Sequence, residues 1–354
     1  DMMAEQNVDA VIVGPSSDLQ YLTDLSPYAD ERFKALVILA DKSCFYICPA
    51  LYYEETVNTL GKDSKIYVWD DTSGFLSAWD KAKEEYGLAD KRIAVNEGIR
   101  AIDMIDLQNF LGGSFVKADG MLEQLRITKS NIERENLRKA AEIIDEVVVE
   151  LTKYIRPGLR EKDVKRKVEE LCIEKGASGV SFEPLIASGP NSSMPHYNDD
   201  KRIIQERDII IIDIGCKYNN YCSDITRTIF IGEPTDEQRK IYEIVKEANR
   251  QGELCIKEGM PAAEVDKVVR SVIEKAGYGE YFIHRTGHGI GVAVHEAPYI
   301  HQANTQKLRT GMAFSIEPGI YLPGKFGVRI EDIVVVDGDK AEVLNKCPKD
   351  IIVI

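Results

Sequence analysis

The second half of the 354-residue sequence contains one helical pattern twice, and the second copy begins 101 residues after the first (256 against 155). Gly158 and Gly176 of the first copy match glycines of the second. Val164 and Val168 match valines at the same helical spacing. Each copy therefore predicts one helix between two glycine stops. Chance similarity between two amphipathic helices is the competing explanation. The aligned segments are IRPGLREKDVKRKVEELCIEKGA (155–177) and IKEGMPAAEVDKVVRSVIEKAGY (256–278).

The residues that follow each copy favour a true repeat. In both halves the helix is followed by an apolar strand, a turn and a second strand, and each strand carries one carboxylate. The acids are Asp213 and Asp224 in the first half, and Glu317 and Glu331 in the second. Two such halves packed about a pseudo-twofold axis would bring four carboxylates to one central place. We therefore predict an α+β domain with an internal pseudo-twofold repeat and an acidic centre.

Four acids in such positions need a common positive partner. Asp213 follows four consecutive isoleucines, so its strand is expected to be buried. A buried carboxylate persists only when it is paired, hydrogen-bonded or bound to a metal. Two divalent cations would balance the four negative charges. Oxygen ligands with one imidazole suit Mn²⁺ or Co²⁺, and Zn²⁺ is a third candidate. Calcium is disfavoured because no loop shows the EF-hand spacing of acids.

Three of the five histidines of the chain fall within HRTGHGIGVAVHE, residues 284 to 296. A zinc-protease H-E-x-x-H motif is excluded because Arg285 stands where the glutamate should be. The three glycines would each cost a helix about 1 kcal/mol, so a helix that presents His284 and His288 together is disfavoured. A phosphate-binding loop is also excluded, since no Lys-Ser or Lys-Thr pair follows the glycines. We predict an irregular loop in which glycine lets the backbone approach the site closely.

Residues 8 to about 120 differ in character, because short apolar strands alternate there with helical patterns and this region contains no histidine. Such alternation predicts an α/β layer with a mostly parallel sheet. A chain of this length favours two domains. We place their boundary after residue 121, which gives an N-terminal α/β domain (1–121) and a C-terminal domain (122–354).

Composition excludes several classes of partner. The formal net charge of −14 disfavours binding to nucleic acid or to an anionic membrane, since both require a basic surface. No apolar run approaches the roughly 20 residues of a membrane helix. The seven cysteines are scattered without a C-x-x-C pair, as expected of reduced thiols in a cytosol. The opening segment DMMAEQNVDAVIVG begins abruptly but lacks the basic segment and apolar core of a signal peptide. We therefore expect a cytoplasmic location.

Four further motifs accompany the histidine stretch, namely SGPNSSMPHY (188–197), D-I-G with S-D-I-T-R, S-I-E-P-G, and G-V-R-I-E-D. In their order, these five motifs resemble those of the pita-bread metallopeptidases, the superfamily of methionine aminopeptidase, aminopeptidase P and prolidase. The histidine stretch resembles the signature of the proline-specific branch throughout its length. The resemblance covers residues 121 to 345 specifically, and the N-terminal domain fits the creatinase-like layout more loosely.

The resemblance implies a role for each matched residue. It implies that a dinuclear metal centre is bound by five ligands, namely Asp213, Asp224, His288, Glu317 and Glu331. It also implies that His196 and His295 are catalytic histidines that do not bind metal, and that both contact substrate. By the same resemblance, His284 and Arg329 lie on the substrate side. The chemistry of attack by a metal-bound water further predicts that Glu317 takes the proton as the attack proceeds. No ligand position is substituted, which argues against the metal-free branches of the superfamily, creatinase and the pseudo-peptidases.

The resemblance implies hydrolysis of the peptide bond between an N-terminal residue and a following proline, by a hydroxide that bridges the two metals. The first hypothesis is an Xaa-Pro dipeptidase acting on small peptides. The alternative is an aminopeptidase P acting on longer Xaa-Pro peptides. Methionine aminopeptidase and a non-catalytic binding protein of the same fold are weaker candidates. A homodimer is expected from the family layout. The preference between dipeptide and longer substrates stays open at this stage.

Overall fold

The protein is described by a computed structural model that covers residues 2–199 and 201–354, except for the side chain of residue 119. The chain divides into two compact units, of which the first ends at Arg126 and the second begins at Ile127. No helix of the described residues is both long and apolar enough to cross a membrane.

The N-terminal unit is a six-stranded sheet with helices. Three of its five neighbouring strand pairs are parallel and two are antiparallel, so the predicted α/β class is confirmed with a mixed sheet. The order of strands across the sheet is β4-β3-β2-β1-β5-β6. The strands are β1 (Ala10–Val13), β2 (Ala35–Leu39), β3 (Cys44–Pro49), β4 (Ile66–Trp69), β5 (Arg92–Val95) and β6 (Ser114–Lys117). The helices are α1 (Met2–Glu5), α2 (Ser17–Thr23), α3 (Tyr53–Leu60), α4 (Leu76–Tyr86), α5 (Ala101–Leu111) and α6 (Asp119–Arg126).

Four helices of the C-terminal unit follow the repeat. The second and fourth differ by 101 residues at both ends (161 against 262, and 174 against 275). The first and third also end 101 residues apart, at Tyr154 and Cys255, so the repeat includes these longer helices as well. The predicted internal repeat is therefore present in the fold. The helices are α7 (Asn131–Tyr154), α8 (Glu161–Glu174), α9 (Asp236–Cys255) and α10 (Ala262–Lys275).

The strands of this unit form two larger sheets and two small ones. The larger sheets have the orders β20-β12-β9-β8 and β14-β13-β15-β18-β19, and the small ones have the orders β11-β10-β7 and β16-β17. The strands of the first half are β7 (Gly179–Val180), β8 (Leu185–Ser188), β9 (Ile209–Ile214), β10 (Cys216–Tyr218), β11 (Tyr221–Cys222) and β12 (Ile225–Phe230). Those that follow are β13 (Gly287–Gly289), β14 (Glu296–Ile300), β15 (Ala313–Ile316), β16 (Gly319–Leu322), β17 (Phe326–Arg329), β18 (Asp332–Asp337), β19 (Lys340–Val343) and β20 (Ile352–Val353).

Each half of the repeat buries its own apolar core between helices and sheet. Val164 and Val168 of α8 pack in one cluster with Ile210, Ile212 and Ile214 of β9. Val265 and Val269 of α10 pack in a second cluster with Phe314 and its neighbours on β15. The helical valine spacing therefore marks the face of each helix that the sheet covers. Both acid-bearing sheets are thus held in place by helices of the C-terminal unit.

Candidate metal centre

All four repeat acids lie where an inner hairpin branches from an outer one. In the first half the outer strands β9 and β12 enclose the short pair β10 and β11. In the second half β15 and β18 enclose β16 and β17. Asp213 and Glu317 lie at the end of the first outer strand, whereas Asp224 and Glu331 lie just before the second. At these branch points the ladder hydrogen bonds of the outer strands stop, and the carboxylates line one common cavity.

His288 lies at the middle of β13 and is held there by close backbone packing. A Cβ atom on Gly287 would collide with the carbonyl oxygen of Ser315, and one on Gly289 with the carbonyl oxygen of Ala297. The amide of His288 donates to the Ser315 hydroxyl at 3.1 Å. The glycines that flank His288 therefore allow the close approach that was predicted, but the prediction of an irregular loop was wrong at this point, because Gly287–Gly289 pairs with β14 and β15 as a short strand.

The His288 ring faces three carboxylates. Its Nε2 lies 3.6 Å from Asp224 Oδ2, 3.6 Å from Glu317 Oε1 and 4.0 Å from Glu331 Oε1. On its other side Nδ1 lies 3.1 Å from the Gly289 carbonyl oxygen, which fixes Nδ1 as the protonated nitrogen. The lone pair of Nε2 therefore points at the acids. Burial, followed by the positive charge of His295, lowers the pKa of His288 to about 3, so the ring is neutral near physiological pH.

Three of the four acids have a buried carboxylate oxygen without a partner among the described residues. Asp213 Oδ1, Asp224 Oδ1 and Glu331 Oε1 are buried and have no hydrogen-bond partner there. Burial and then the neighbouring carboxylates raise the pKa of Asp224 and of Glu331 well above their usual range. Burial also raises the pKa of Glu317 to about 7. Three orphaned carboxylate oxygens beside an imidazole lone pair are a donor set that suits a divalent cation.

Two hydroxyl groups hold the acids in place. The Thr226 hydroxyl donates to Glu331 Oε2 at 2.7 Å and accepts from Arg329 Nε at 3.2 Å. The Ser315 hydroxyl, which accepts from the His288 amide, donates to Glu317 Oε1 at 3.2 Å. Each half of the repeat thus supplies one hydroxyl beside an acid. Such contacts fix the orientation of ligands around a metal.

A second hydrogen-bonded chain leads from the acids to His284. Arg329 Nη2 pairs with Asp213 Oδ2 at 2.6 Å, and Arg329 Nη1 donates to the Tyr321 hydroxyl at 2.8 Å. That hydroxyl lies 2.9 Å from His284 Nε2, while His284 Nδ1 lies 2.8 Å from the Arg285 carbonyl oxygen. Burial, followed by the charge of Arg329, lowers the pKa of His284 to about 4. His284 is therefore a neutral ring that donates from Nδ1 and accepts from Tyr321.

Two further histidines, His295 and His196, lie at the same cavity. The rings of His295 and His288 meet edge to face, with centroids 4.2 Å apart. Burial, and next the charge of Arg285, lowers the pKa of His295. His196 belongs to the segment after β8 and is exposed. The cavity has a volume of about 520 Å³ and is lined by Phe182, Glu183, Leu185, Pro195, His196, Asp213, Asp224, His284, Arg285, His288, Val294, His295, Glu317, Arg329 and Glu331.

All nine residues singled out from the sequence thus line one cavity. Four contributors were missed, namely Thr226, Ser315, Tyr321 and Arg285. Thr226 and Ser315 stand next to or near acids within quoted motifs, and that proximity was an available signal. Tyr321 carried no such signal, because a tyrosine in an apolar strand is most often part of a core. Among the aromatic side chains, Phe182 lines the cavity, whereas the hydroxyls of Tyr197 and Tyr221 donate to Glu161 and Glu133.

This combination of buried acids, one neutral imidazole and further histidines at a cavity defines a metal-dependent hydrolase. Comparison with known protein families shows to which family of such hydrolases the chain belongs. The family model of metallopeptidase family M24 matches residues 135–338, and the model of the creatinase/prolidase N-terminal domain matches residues 1–128. The chain belongs to metallopeptidase family M24. The predicted family resemblance, fold class and enzyme class are therefore confirmed, and membership implies divalent metal ions.

Relatives match along the whole chain. An Xaa-Pro dipeptidase of Pyrococcus furiosus is 36% identical over 99% of this chain and 97% of its own length. The crystal structure of a prolidase from Thermococcus sibiricus superposes with a TM-score of 0.95 at 36% identity, covering 99% of this chain and 96% of that one. An X-Pro aminopeptidase structure from Thermotoga maritima has a TM-score of 0.88 at 31% identity, covering 100% and 98%. Both substrate preferences therefore occur among proteins similar to this chain.

Proposed function

We propose that this chain is an Xaa-Pro dipeptidase, which hydrolyses the peptide bond between an N-terminal residue and a C-terminal proline. The observation that carries the proposal is the meeting of the acid cluster with His284, His295 and His196 at one cavity. Full-length similarity to proteins named Xaa-Pro dipeptidase and prolidase supports the choice of substrate.

The proposed metal centre uses Asp213, Asp224, His288, Glu317 and Glu331 as ligands of two divalent cations. Four carboxylates would match the charge of two such ions, and the mixed oxygen and imidazole donors favour Mn²⁺ or Co²⁺, with Zn²⁺ also suitable. When bound, the ions would polarise the scissile carbonyl and make a water acidic enough to attack near neutral pH. The orphaned oxygens of three of these acids support the assignment.

Protein side chains complete the proposed reaction. Glu317, held by the Ser315 hydroxyl, takes the proton released as water attacks and delivers it to the leaving proline nitrogen. His295 and His196 donate hydrogen bonds to the oxyanion of the tetrahedral intermediate and to the substrate. His284 faces the substrate as a neutral ring. Arg329 organises the site through Asp213 and Tyr321.

The proline substrate places a particular demand on the cavity. The bond before proline is a tertiary amide without an N–H, and the ring hinders approach to the carbonyl. Part of the cavity lining is apolar, formed by Phe182, Leu185, Pro195 and Val294. We propose that these residues receive the pyrrolidine ring. Charged and apolar groups at one cavity are typical of a small-ligand site.

The experiment that tests this proposal compares Ala-Pro with Ala-Pro-Ala after loading with Mn²⁺ or Co²⁺. A dipeptidase cleaves Ala-Pro with the higher kcat/KM. Clear preference for Ala-Pro-Ala would instead establish an aminopeptidase P, the alternative favoured by similarity to the Thermotoga maritima structure. The chelated protein serves as a control and should cleave neither peptide.

Two weaker alternatives have separate outcomes. Release of methionine from Met-Ala-Ser, without action on either proline peptide, would establish a methionine aminopeptidase. Failure to retain metal after reconstitution, together with inactivity on all three peptides, would indicate a non-catalytic binding protein. The five potential ligands, all present, oppose that second outcome.

We also propose a homodimer in the cytoplasm, without nucleic-acid or membrane partners. The free state of all seven cysteines supports a reducing compartment, and the net charge of −14 disfavours anionic partners. Light scattering coupled to size-exclusion chromatography tests the dimer. Limited proteolysis tests the proposed domain boundary after residue 121.

A further inference from the structure

The cavity contains two arginines with different surroundings. Arg329 is buried, pairs with Asp213 at 2.6 Å and donates to the Tyr321 hydroxyl at 2.8 Å. Arg285 also lines the cavity, yet no carboxylate of the described residues lies within ion-pairing distance of its guanidinium. The guanidinium donates no hydrogen bond to any of those residues either. Arg285 therefore has free hydrogen-bonding capacity at the cavity, whereas Arg329 has its counter-charge in place.

The position of Arg285 is fixed although its charge is unpaired. Its Cζ lies 4.6 Å from the ring centroid of Tyr299, in a cation–π contact. Its carbonyl oxygen faces Nδ1 of His284 at 2.8 Å, so its backbone is joined to the substrate-side histidine. After burial, the charge of Arg285 is the next largest influence that lowers the pKa of His295. The guanidinium is thus held near the reacting centre.

A dipeptide substrate brings a negatively charged C-terminal carboxylate into a cavity that is lined mainly by acids among its charged groups. Hydrolysis of Xaa-Pro places the C-terminal carboxylate one residue beyond the scissile bond. Five acids line the cavity, namely Glu183, Asp213, Asp224, Glu317 and Glu331. A second negative group entering among them needs a cation, and guanidinium binds carboxylate in a bidentate, charge-assisted geometry. Among the described lining residues, Arg285 is the permanent cation that lacks a protein carboxylate.

We propose that the Arg285 guanidinium binds the C-terminal carboxylate of the substrate and so determines the preference for dipeptides over longer peptides. This inference rests on the proposed Xaa-Pro hydrolysis. A longer peptide has a neutral amide at that place, which offers the guanidinium no ionic partner. Arg285 is accordingly a specificity-determining residue for this reaction.

The test pairs a change in the enzyme with a change in the substrate. The kcat/KM values of the metal-loaded wild type and of Arg285→Gln are measured with Ala-Pro and with Ala-Pro-amide, whose C-terminus has the same size but no charge. We expect Arg285→Gln to lower kcat/KM for Ala-Pro by about 10- to 100-fold, mainly through KM. The amide should change by less than about 3-fold. The four measurements form a cycle that isolates the contact between guanidinium and carboxylate.

Two further variants make the result specific. Arg285→Lys keeps the charge but not the bidentate geometry, so its loss on Ala-Pro should be intermediate. Arg156→Gln removes an exposed arginine that also lies against a tyrosine ring, with Cζ 5.9 Å from the Tyr154 centroid, and should match the wild type on both substrates. Metal content and thermal melting show whether each variant is folded and loaded.

The outcomes separate this inference from the function on which it rests. Equal losses on Ala-Pro and on its amide would overturn the assignment of Arg285, because the arginine would then act on something other than the carboxylate. Unchanged kinetics on both substrates would overturn it as well. If the metal-loaded wild type cleaves neither substrate, the proposed function itself fails, whatever the variant does.

Discussion

Thr226 and Glu331 are joined twice across the two halves of the repeat. The Glu331 amide donates to the Thr226 carbonyl oxygen at 3.1 Å, and the Thr226 hydroxyl donates to Glu331 Oε2 at 2.7 Å. The backbone contact is an isolated antiparallel bridge between β12 and the residue that precedes β18. An acid contributed by one half is therefore oriented by a hydroxyl of the other, and the two halves meet at the proposed metal centre.

Replacing Thr226 by Val should weaken metal binding. Valine has a similar shape but no hydroxyl, so Glu331 Oε2 would lose its donor while the bridge is kept. Loss of such a supporting contact costs about 10- to 100-fold in metal affinity. Titration of the chelated protein with Mn²⁺ measures the change. Thr226→Ser retains the hydroxyl and should stay near the wild type; a Val variant with wild-type affinity would show that the contact does not orient Glu331.

His288 and His295 should respond differently to replacement by Ala. His288 offers its Nε2 lone pair to the acid cluster, so His288→Ala should lose metal and activity together. His295 is assigned to the substrate, so His295→Ala should keep its metal and lose turnover by about 10²-fold or more. Elemental analysis of each reconstituted variant, with kcat on Ala-Pro, measures both effects. Loss of metal from His295→Ala would contradict the proposed division of the histidines.

The repeat was predictable from the sequence because both features that define it are local. Helical valine spacing and terminal glycines are visible along the chain, and α8 and α10 indeed begin and end 101 residues apart. Strand-borne acids such as Asp213 were visible in the same way. The prediction that the four acids meet at one place then followed from the pseudo-twofold arrangement of the two halves alone.

The inner hairpins and the uncharged contributors were not predictable in that way. Each predicted hairpin is an outer pair of strands around a shorter inner pair, and the strands are interrupted at the acids or, in the case of Asp213, two residues later. The role of Tyr321 depends on its contacts with Arg329 on the neighbouring strand and with His284, which lies 37 residues earlier in the chain. In the N-terminal unit, β6 (Ser114–Lys117) has only a weak local pattern, because two of its four side chains are polar. A role that depends on tertiary contacts leaves no local pattern in the sequence.

A methyl group at position 287 should displace His288, the proposed metal ligand that follows it. The Cβ of Gly287→Ala would meet the Ser315 carbonyl oxygen, a backbone atom that cannot rotate away. We expect a loss of about 1–3 kcal/mol in the free energy of unfolding and weaker metal binding. Urea unfolding and metal titration measure these. Gly120→Ala, where a Cβ meets open space, is the matched control and should show neither loss.

The neutral state of His284 predicts how stability depends on pH. Burial, followed by the charge of Arg329, lowers the pKa of its ring from 6.5 to about 4. Between these values the unfolded chain binds a proton that the folded protein does not. The stability associated with this group is therefore fully present above about pH 6.5 and is lost as the pH falls towards 4. Each unit of pH in that window is worth up to about 1.4 kcal/mol.

Replacing His284 by Gln should remove this part of the acid sensitivity. Gln does not titrate, and its side-chain oxygen can still accept from the Tyr321 hydroxyl. Between pH 6.5 and pH 5 the free energy of unfolding should then fall by about 2 kcal/mol less in the variant than in the wild type. Urea unfolding of both chelated proteins measures the difference, and the other acids of the cluster cancel because they are common to the two. An NMR titration that protonates the His284 ring near pH 6.5 would contradict the hydrogen-bonded chain from Asp213 to His284, since Nε2 could not then accept from Tyr321.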